Sequence, residues 1–287
     1  MAAIRLTVSC IIYFLFILSA KSSNAAYNVI SYGAKPDGKT DSTPSFLKAW
    51  TLACNSVTAS TIFVPKGRYL IKTAVFRGPC KNKIIFQIVG TIVAPIDSRA
   101  LGNSGYWILF IKVDRLTVIG GTLDAKGAAF WACRISGNNC PVGARSITVN
   151  SANNVVISGL RSINSQLSHL VISSCNNVVV RNVKFFAPAQ SPNTDGIHVE
   201  SSTGVTITGS TLQTGDDCIS IVFTGSDNGV RIKSWARASN SFVRNVVFQN
   251  IIMNNVKNPI LIDQNYCPNN QGCPRQTSGV KISQVTY

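Results

Sequence analysis

Residues 146–181 read SITVNSANNVVISGLRSINSQLSHLVISSCNNVVVR, and the fold is decided there. Two short β-branched strands, SITV and HLVI, are led by Ile147 and Leu170; two more, NNVVIS and NNVVVR, are led by Val155 and Val178. Outside the stretch the first kind continues as GIHV, CISI, GVRI and PILI, led by Ile197, Ile219, Val230 and Ile260. The second continues as GVTITG, NVVFQN and GVKISQ, led by Val205, Val246 and Val280. The two kinds alternate along the chain, as they do when each coil of a solenoid gives one strand to each of two sheets. Alternating apolar and polar residues turn one face of each strand inward and one outward. Asparagine ahead of a strand suits a stacked turn, because it tolerates left-handed backbone. The expected fold is all-β, a right-handed parallel β-helix. An antiparallel sandwich is the rival, and sparse hairpin signals count against it.

The solenoid needs a cap. YNVISYGAKPDGKTDSTPSFLKAWTLAC, from Tyr27, gives a strand, a loop and then a short N-terminal helix with Asp41 or Ser42 as N-cap and Phe46, Leu47, Trp50 and Leu52 as its apolar face. After Thr61 helical signals nearly vanish. Leaders of the first strand line are spaced 23, 27, 22, 11 and 30 residues apart. The 11-residue step is too short for a coil, and the second line supplies no strand between Ile219 and Val230. Either the chain lacks material there, near residue 222, or Asp227-Asn228-Gly229 turns a local hairpin.

At the start of the chain Arg5 precedes the apolar run Leu6–Ala20, and Ser23-Asn24-Ala25 offers small residues for cleavage. Residues 1–25 are therefore expected to be a secretory signal and residues 26–287 the β-helix. Export permits disulfides among the eight remaining cysteines: Cys133/Cys140 and Cys267/Cys273 are near enough to staple local loops, while Cys175 and Cys218 sit in apolar runs and could be buried thiols. No CxxC pair or His/Cys cluster points to a metal. Lys and Arg number 27 against 11 Asp and Glu; without Arg5 and Lys21 the net charge stays near +14. An exported basic protein suits an acidic partner such as a polyuronate. Nucleic acid is disfavoured by export and by the lack of a basic cluster interleaved with aromatics.

Acids are scarce, yet three converge. Setting TDGIHV over DDCISI in the strand register puts Asp195 beside Asp217 and Thr194 beside Asp216. Neighbouring coils lie about 4.8 Å apart, so stacked carboxylates repel and the pKa of one should rise. Strict alternation sends Asp216 outward and Asp217 inward, so a shared cleft requires the chain to bend where the strand starts. Such a pair suits glycoside hydrolysis, in which one carboxyl protonates the leaving oxygen and another activates water. Arg231 and Lys233, two apart in one strand, project to one face and can hold a substrate carboxylate, Arg by a fork and Lys as a point charge.

The motifs SPNTDGIHV, GDDCISI and NGVRIKSW, with YGAKPDGKTDS and IFVPKGRYLI ahead of them, resemble those of plant polygalacturonases of glycoside hydrolase family 28. The resemblance runs from Tyr27 to Tyr287. It implies inverting hydrolysis of α-1,4-galacturonan, the pectate backbone, by a secreted monomer of the cell wall that uses no cofactor and no metal and, once its signal is removed, has no membrane attachment. It makes Asp216 the proton donor, gives Asp195 and Asp217 the water, assigns Arg231 and Lys233 to substrate carboxylates and lines the cleft with Tyr266. It departs in two places. Members of the family carry a Gly-His-Gly strand between the Asp-Asp and Arg-Ile-Lys motifs, whereas the only histidines here are His169 and His198, both upstream. His198 reads as an ordinary strand residue. Members also continue for several strands beyond VKISQVTY, which leaves the last coil uncapped. The alternative is a member that binds pectin without turnover.

Overall fold

The computed structural model describes residues 25–137, 139–188, 190–191, 193–215, 222–224, 228–248, 252–254, 256–267 and 272–287. Every strand pairing among them is parallel, and the coils stack into a right-handed parallel β-helix with three long sheets and two further two-stranded ones. The longest sheet has nine strands and runs from Ala25–Asn28 to Lys281–Thr286. A five-stranded sheet is built from Ala74–Arg77, Tyr106–Ile111, Arg145–Asn150, Leu170–Ser173 and Ile197–Glu200. The third sheet has seven strands, most of only three residues, among them Thr122–Asp124, Arg161–Ile163 and Lys184–Phe186. This corrects the expectation of two sheets. Three residues are too few for an alternation to show, and most of these strands follow the preceding one after a two-residue turn.

The expected register holds through most of the solenoid. Ile147, Leu170 and Ile197 are partners in the five-stranded sheet, and Val155, Val178, Val205 and Val246 are partners in the nine-stranded one. Residues with left-handed backbone precede the core valines: Asn154 (φ 56°), Asn177 (φ 57°) and Gly204 (φ 62°). The asparagines also stack, Asn177 Nδ2 donating to Asn154 Oδ1 at 2.6 Å. At the last coil Val246 pairs with Val285 and not with Val280. Gln284 (φ 53°) supplies the left-handed turn there, so the asparagine that marks the register elsewhere is missing from the sequence.

Val205 and Val246 are direct neighbours although 41 residues separate them, against 23 and 27 for the two preceding steps. Among the described residues no strand of the long sheet lies between them. Among the described residues the five-stranded sheet ends at Ile197–Glu200, and Asn228–Trp235 pairs instead with Asn258–Tyr266. Val222–Thr224 pairs in parallel with Ile252–Asn254, and no hairpin forms about Asn228-Gly229 among the described residues.

The capping helix α1 spans Thr43–Asn55. Ser42 holds the N-cap position, but Asp41 supplies the carboxylate, accepting from the Thr43 backbone N at 3.0 Å and the Thr43 hydroxyl at 2.6 Å. Phe46 and Trp50 are buried and Leu47 is half-buried, whereas Leu52 is exposed and Ala49, Ala53 and Cys54 complete the inward face. The helix closes the end of an aromatic stack formed by Trp50, Phe76, Phe86 and Phe110. A second helix, α2 (Ala128–Ser136), carries no period visible in the sequence; buried Phe130 and Trp131 anchor it, and Cys133–Cys140 ties its end. Cys54–Cys80 and Cys267–Cys273 are the other disulfides among the described residues, and Cys175 is a buried thiol. No helix among the described residues is long and apolar enough to cross a membrane.

Candidate active site

Asp195 lies just ahead of Ile197–Glu200, and the chain bends between them. Leu212 packs beneath Gly196 so closely that a Cβ there would stand 2.7 Å from its Cδ1, which places both Gly196 and buried Ile197 toward the core. Alternation is broken at that step, and Asp195 and His198 face the same groove. Ser168 Oγ donates to Asp195 Oδ2 at 3.2 Å, and the Asp195 carbonyl accepts from the His169 backbone N at 2.8 Å. The aspartate is thus held from the preceding coil.

His198 stands between two acids, its Nδ1 4.0 Å from Asp195 Oδ2 and its Nε2 3.6 Å from Glu200 Oε2. Contact with the His198 ring is the main reason the Glu200 carboxyl sits at about 2, with the Ser173 hydroxyl and the charge of Arg145 adding to it against the cost of burial. His198 is a strand residue, as expected, but one that lines the groove. It, Glu200 and Ser168 all escaped the reading of the sequence. The strand register, which places His198 on Val171 and Glu200 on Ser173, was the signal that could have found them.

Across the groove, Val230 and Ile232 are buried while Arg231 and Lys233 point outward. Arg231 Nη2 lies 3.5 Å from Asp263 Oδ2. Tyr266 reaches the same face through a bulge: Lys233 pairs with Asp263 but Trp235 pairs with Tyr266, so one extra residue shifts the alternation. Its ring lies 4.9 Å from Lys233 Nζ and 5.4 Å from the Arg231 guanidinium, within cation–π range. Asp195, His198, Arg231 and Lys233 together line a cavity of about 70 Å³. Asp216 and Asp217 lie outside the described residues, as do Cys218, Ile219 and residues 1–24.

Behind the groove, His169 is fully buried, stacked on Phe185 with ring centroids 5.3 Å apart and with its Nδ1 2.8 Å from Ser162 Oγ. Burial pushes its pKa down to about 3 from 6.5. The unfolded chain therefore takes up a proton below pH 6.5 that the native chain refuses, and stability is lost as the pH falls from there toward 3. The slope from this one group reaches ~1.4 kcal/mol per pH unit. Urea midpoints measured from pH 7 to 4 should fall more steeply for the wild-type chain than for His169→Gln; parallel profiles would contradict this.

Residues 54–225 and 222–287 match the sequence profile described as glycosyl hydrolases family 28. The chain belongs to that family. As a family 28 glycoside hydrolase it is 46% identical over 332 residues to a polygalacturonase of Prunus persica, covering 100% of this chain and 84% of the relative. It is 37% identical over 315 residues to polygalacturonase QRT2 of Arabidopsis thaliana, covering 93% and 71%. Its fold resembles the crystal structure of endo-xylogalacturonan hydrolase from Aspergillus tubingensis, with a TM-score of 0.70 at 24% identity over 92% of this chain and 73% of that one. Polygalacturonase from Erwinia carotovora aligns with a TM-score of 0.61 at 17% identity, over 92% and 93%. The two matched segments of this family 28 chain meet at residues 222–225. The Prunus alignment is longer than the 287-residue chain by 45 positions.

Proposed function

We propose that the chain hydrolyses α-1,4-galacturonan, the pectate backbone, with inversion at the anomeric carbon. The observation that carries this reading is the groove itself, where Asp195 stands opposite Arg231 and Lys233. A carboxylate facing cations is the arrangement needed for acid–base work on a substrate that carries its own carboxylates. Asp216 protonates the glycosidic oxygen as the bond breaks; Asp195 and Asp217 hold a water and accept its proton as it attacks from the opposite face. Arg231, steadied by Asp263 and by the face of Tyr266, presents its fork to a uronate carboxylate, and Lys233 adds a point charge.

In this reading residues 1–25 direct export, and the protein acts on cell-wall pectin as a monomer. The three disulfides among the described residues support an oxidising destination. The chain is also internally shortened near residue 222, where the Gly-His-Gly strand would fall. The division of the family match at residues 222–225 and the 45 extra positions support that placement. The test is release of reducing ends from polygalacturonate by the purified protein. Release that disappears in Asp216→Asn is expected. Retention on pectate without release would leave only a pectin-binding protein and overturn hydrolysis.

A further inference from the structure

Beside the acid-lined cavity lies a second groove of about 350 Å³, between the Glu200 end of one strand and the segment that follows Lys233. The two adjoin, with His198, Val199, Lys233 and Val243 lining both. Three kinds of group meet in the second groove. Lys233 and Arg237 supply cations, and Glu200 with neighbouring serines supplies acceptors. Tyr266 and Trp235 supply ring faces, Trp235 being 43% exposed. Arg237 is also pre-positioned: its guanidinium lies 4.8 Å from the Trp235 ring, and its backbone N donates to the Trp235 carbonyl at 2.7 Å.

A sugar acid presents the complementary set, namely one carboxylate, several hydroxyl donors and an apolar C–H face. A neutral sugar would leave the cations unused. A simple anion would gain nothing from the rings. The geometry points to this groove as an additional uronate-binding subsite, with Arg237 as its carboxylate anchor and Trp235 holding that arginine in place. This rests on the reading of the chain as a polygalacturonate hydrolase and extends it to a substrate long enough to fill both cavities. The serines and the two rings are neutral, so selection between charged and esterified sugars falls to Lys233 and Arg237.

The test is equilibrium binding of polygalacturonate and of its methyl ester to the wild-type protein, Arg237→Ala, Arg237→Lys and Trp235→Ala. Arg134→Ala, an exposed arginine on α2, controls for net charge. Loss of a charge-assisted bond predicts about tenfold weaker polygalacturonate binding for Arg237→Ala. Arg237→Lys should lie between, since it keeps the charge without the fork. Trp235→Ala should weaken binding and make the Arg237→Ala effect smaller in the double variant. Arg134→Ala should stay within about twofold, as expected of an exposed charge, and the methyl ester should bind weakly to all. Equal losses in Arg237→Ala and Arg134→Ala, or no wild-type binding, would overturn the subsite. In cleavage assays the Arg237→Ala defect should grow from the shortest cleaved oligomer to the polymer. A wild-type protein that binds but never cleaves would sink the hydrolytic reading alone, and the binding comparison would still decide the groove.

Discussion

Asp195→Asn is expected to slow polygalacturonate cleavage by about a thousandfold, within the range that positioned acid–base groups contribute. The effect should fall on kcat, because in the proposed mechanism Asp195 acts on the attacking water while Arg231 and Lys233 hold the polymer. The fold should survive. Ser168 Oγ donates to Asp195 Oδ2, an amide oxygen can accept the same bond, and the backbone bond from His169 to the Asp195 carbonyl is untouched. Initial rates over a substrate series would separate kcat from KM, and a thermal scan would verify folding. A folded Asp195→Asn protein with more than about a tenth of wild-type kcat would remove Asp195 from the chemistry, since a hundredfold loss is the low end for such groups.

Phe110→Ala is expected to cost about 3–5 kcal/mol of stability. Phe110 is 1% exposed and packs against Phe76, Trp50 and Phe86 with ring centroids 5.0, 5.6 and 5.6 Å away. Those rings belong to α1 and to strands of successive coils, so one truncation opens a void shared by the cap and the solenoid. Because each coil contacts mainly its neighbours, the loss should be local in origin. Amide exchange should quicken first in Ala74–Arg77 and Tyr106–Ile111, and later in Leu170–Ser173. Urea unfolding measures the total, and a cost under about 1 kcal/mol would mean that the stack does not secure the cap. Phe110→Leu, which keeps most of the volume, should cost less than half as much.

Most of the solenoid was legible because its signal repeats. The valines after Asn154 and Asn177 mark both the turn and the inward face, so the register of four coils follows from one motif. Where the motif is replaced the reading slips, as at Gln284, which does the work of asparagine and shifts the last register from Val280 to Val285. The third sheet escaped because three-residue strands have no period. The outward pair Arg231 and Lys233 was legible by alternation alone. The full lining of the groove was not, because it depends on two breaks in alternation. One is the bend at Gly196, forced by the packing of Leu212, and the other is the bulge that brings Tyr266 to the face of Lys233. Such breaks are properties of the coil beneath or beside the strand, and a strand's own sequence carries little trace of them. The same holds for His198 and Glu200, whose shared position in the groove appears only after the coils are stacked.

The central claim is that an aspartate turned into the groove at that bend directs water onto a galacturonan chain from the face opposite the proton donor. Proton NMR of polygalacturonate during the first minutes of digestion tests it most directly, by reading the anomeric configuration of each new reducing end before mutarotation. The account predicts that β ends appear first from the α-linked polymer. First appearance of α ends, or a spectrum unchanged from one recorded with Asp195→Asn, would contradict it.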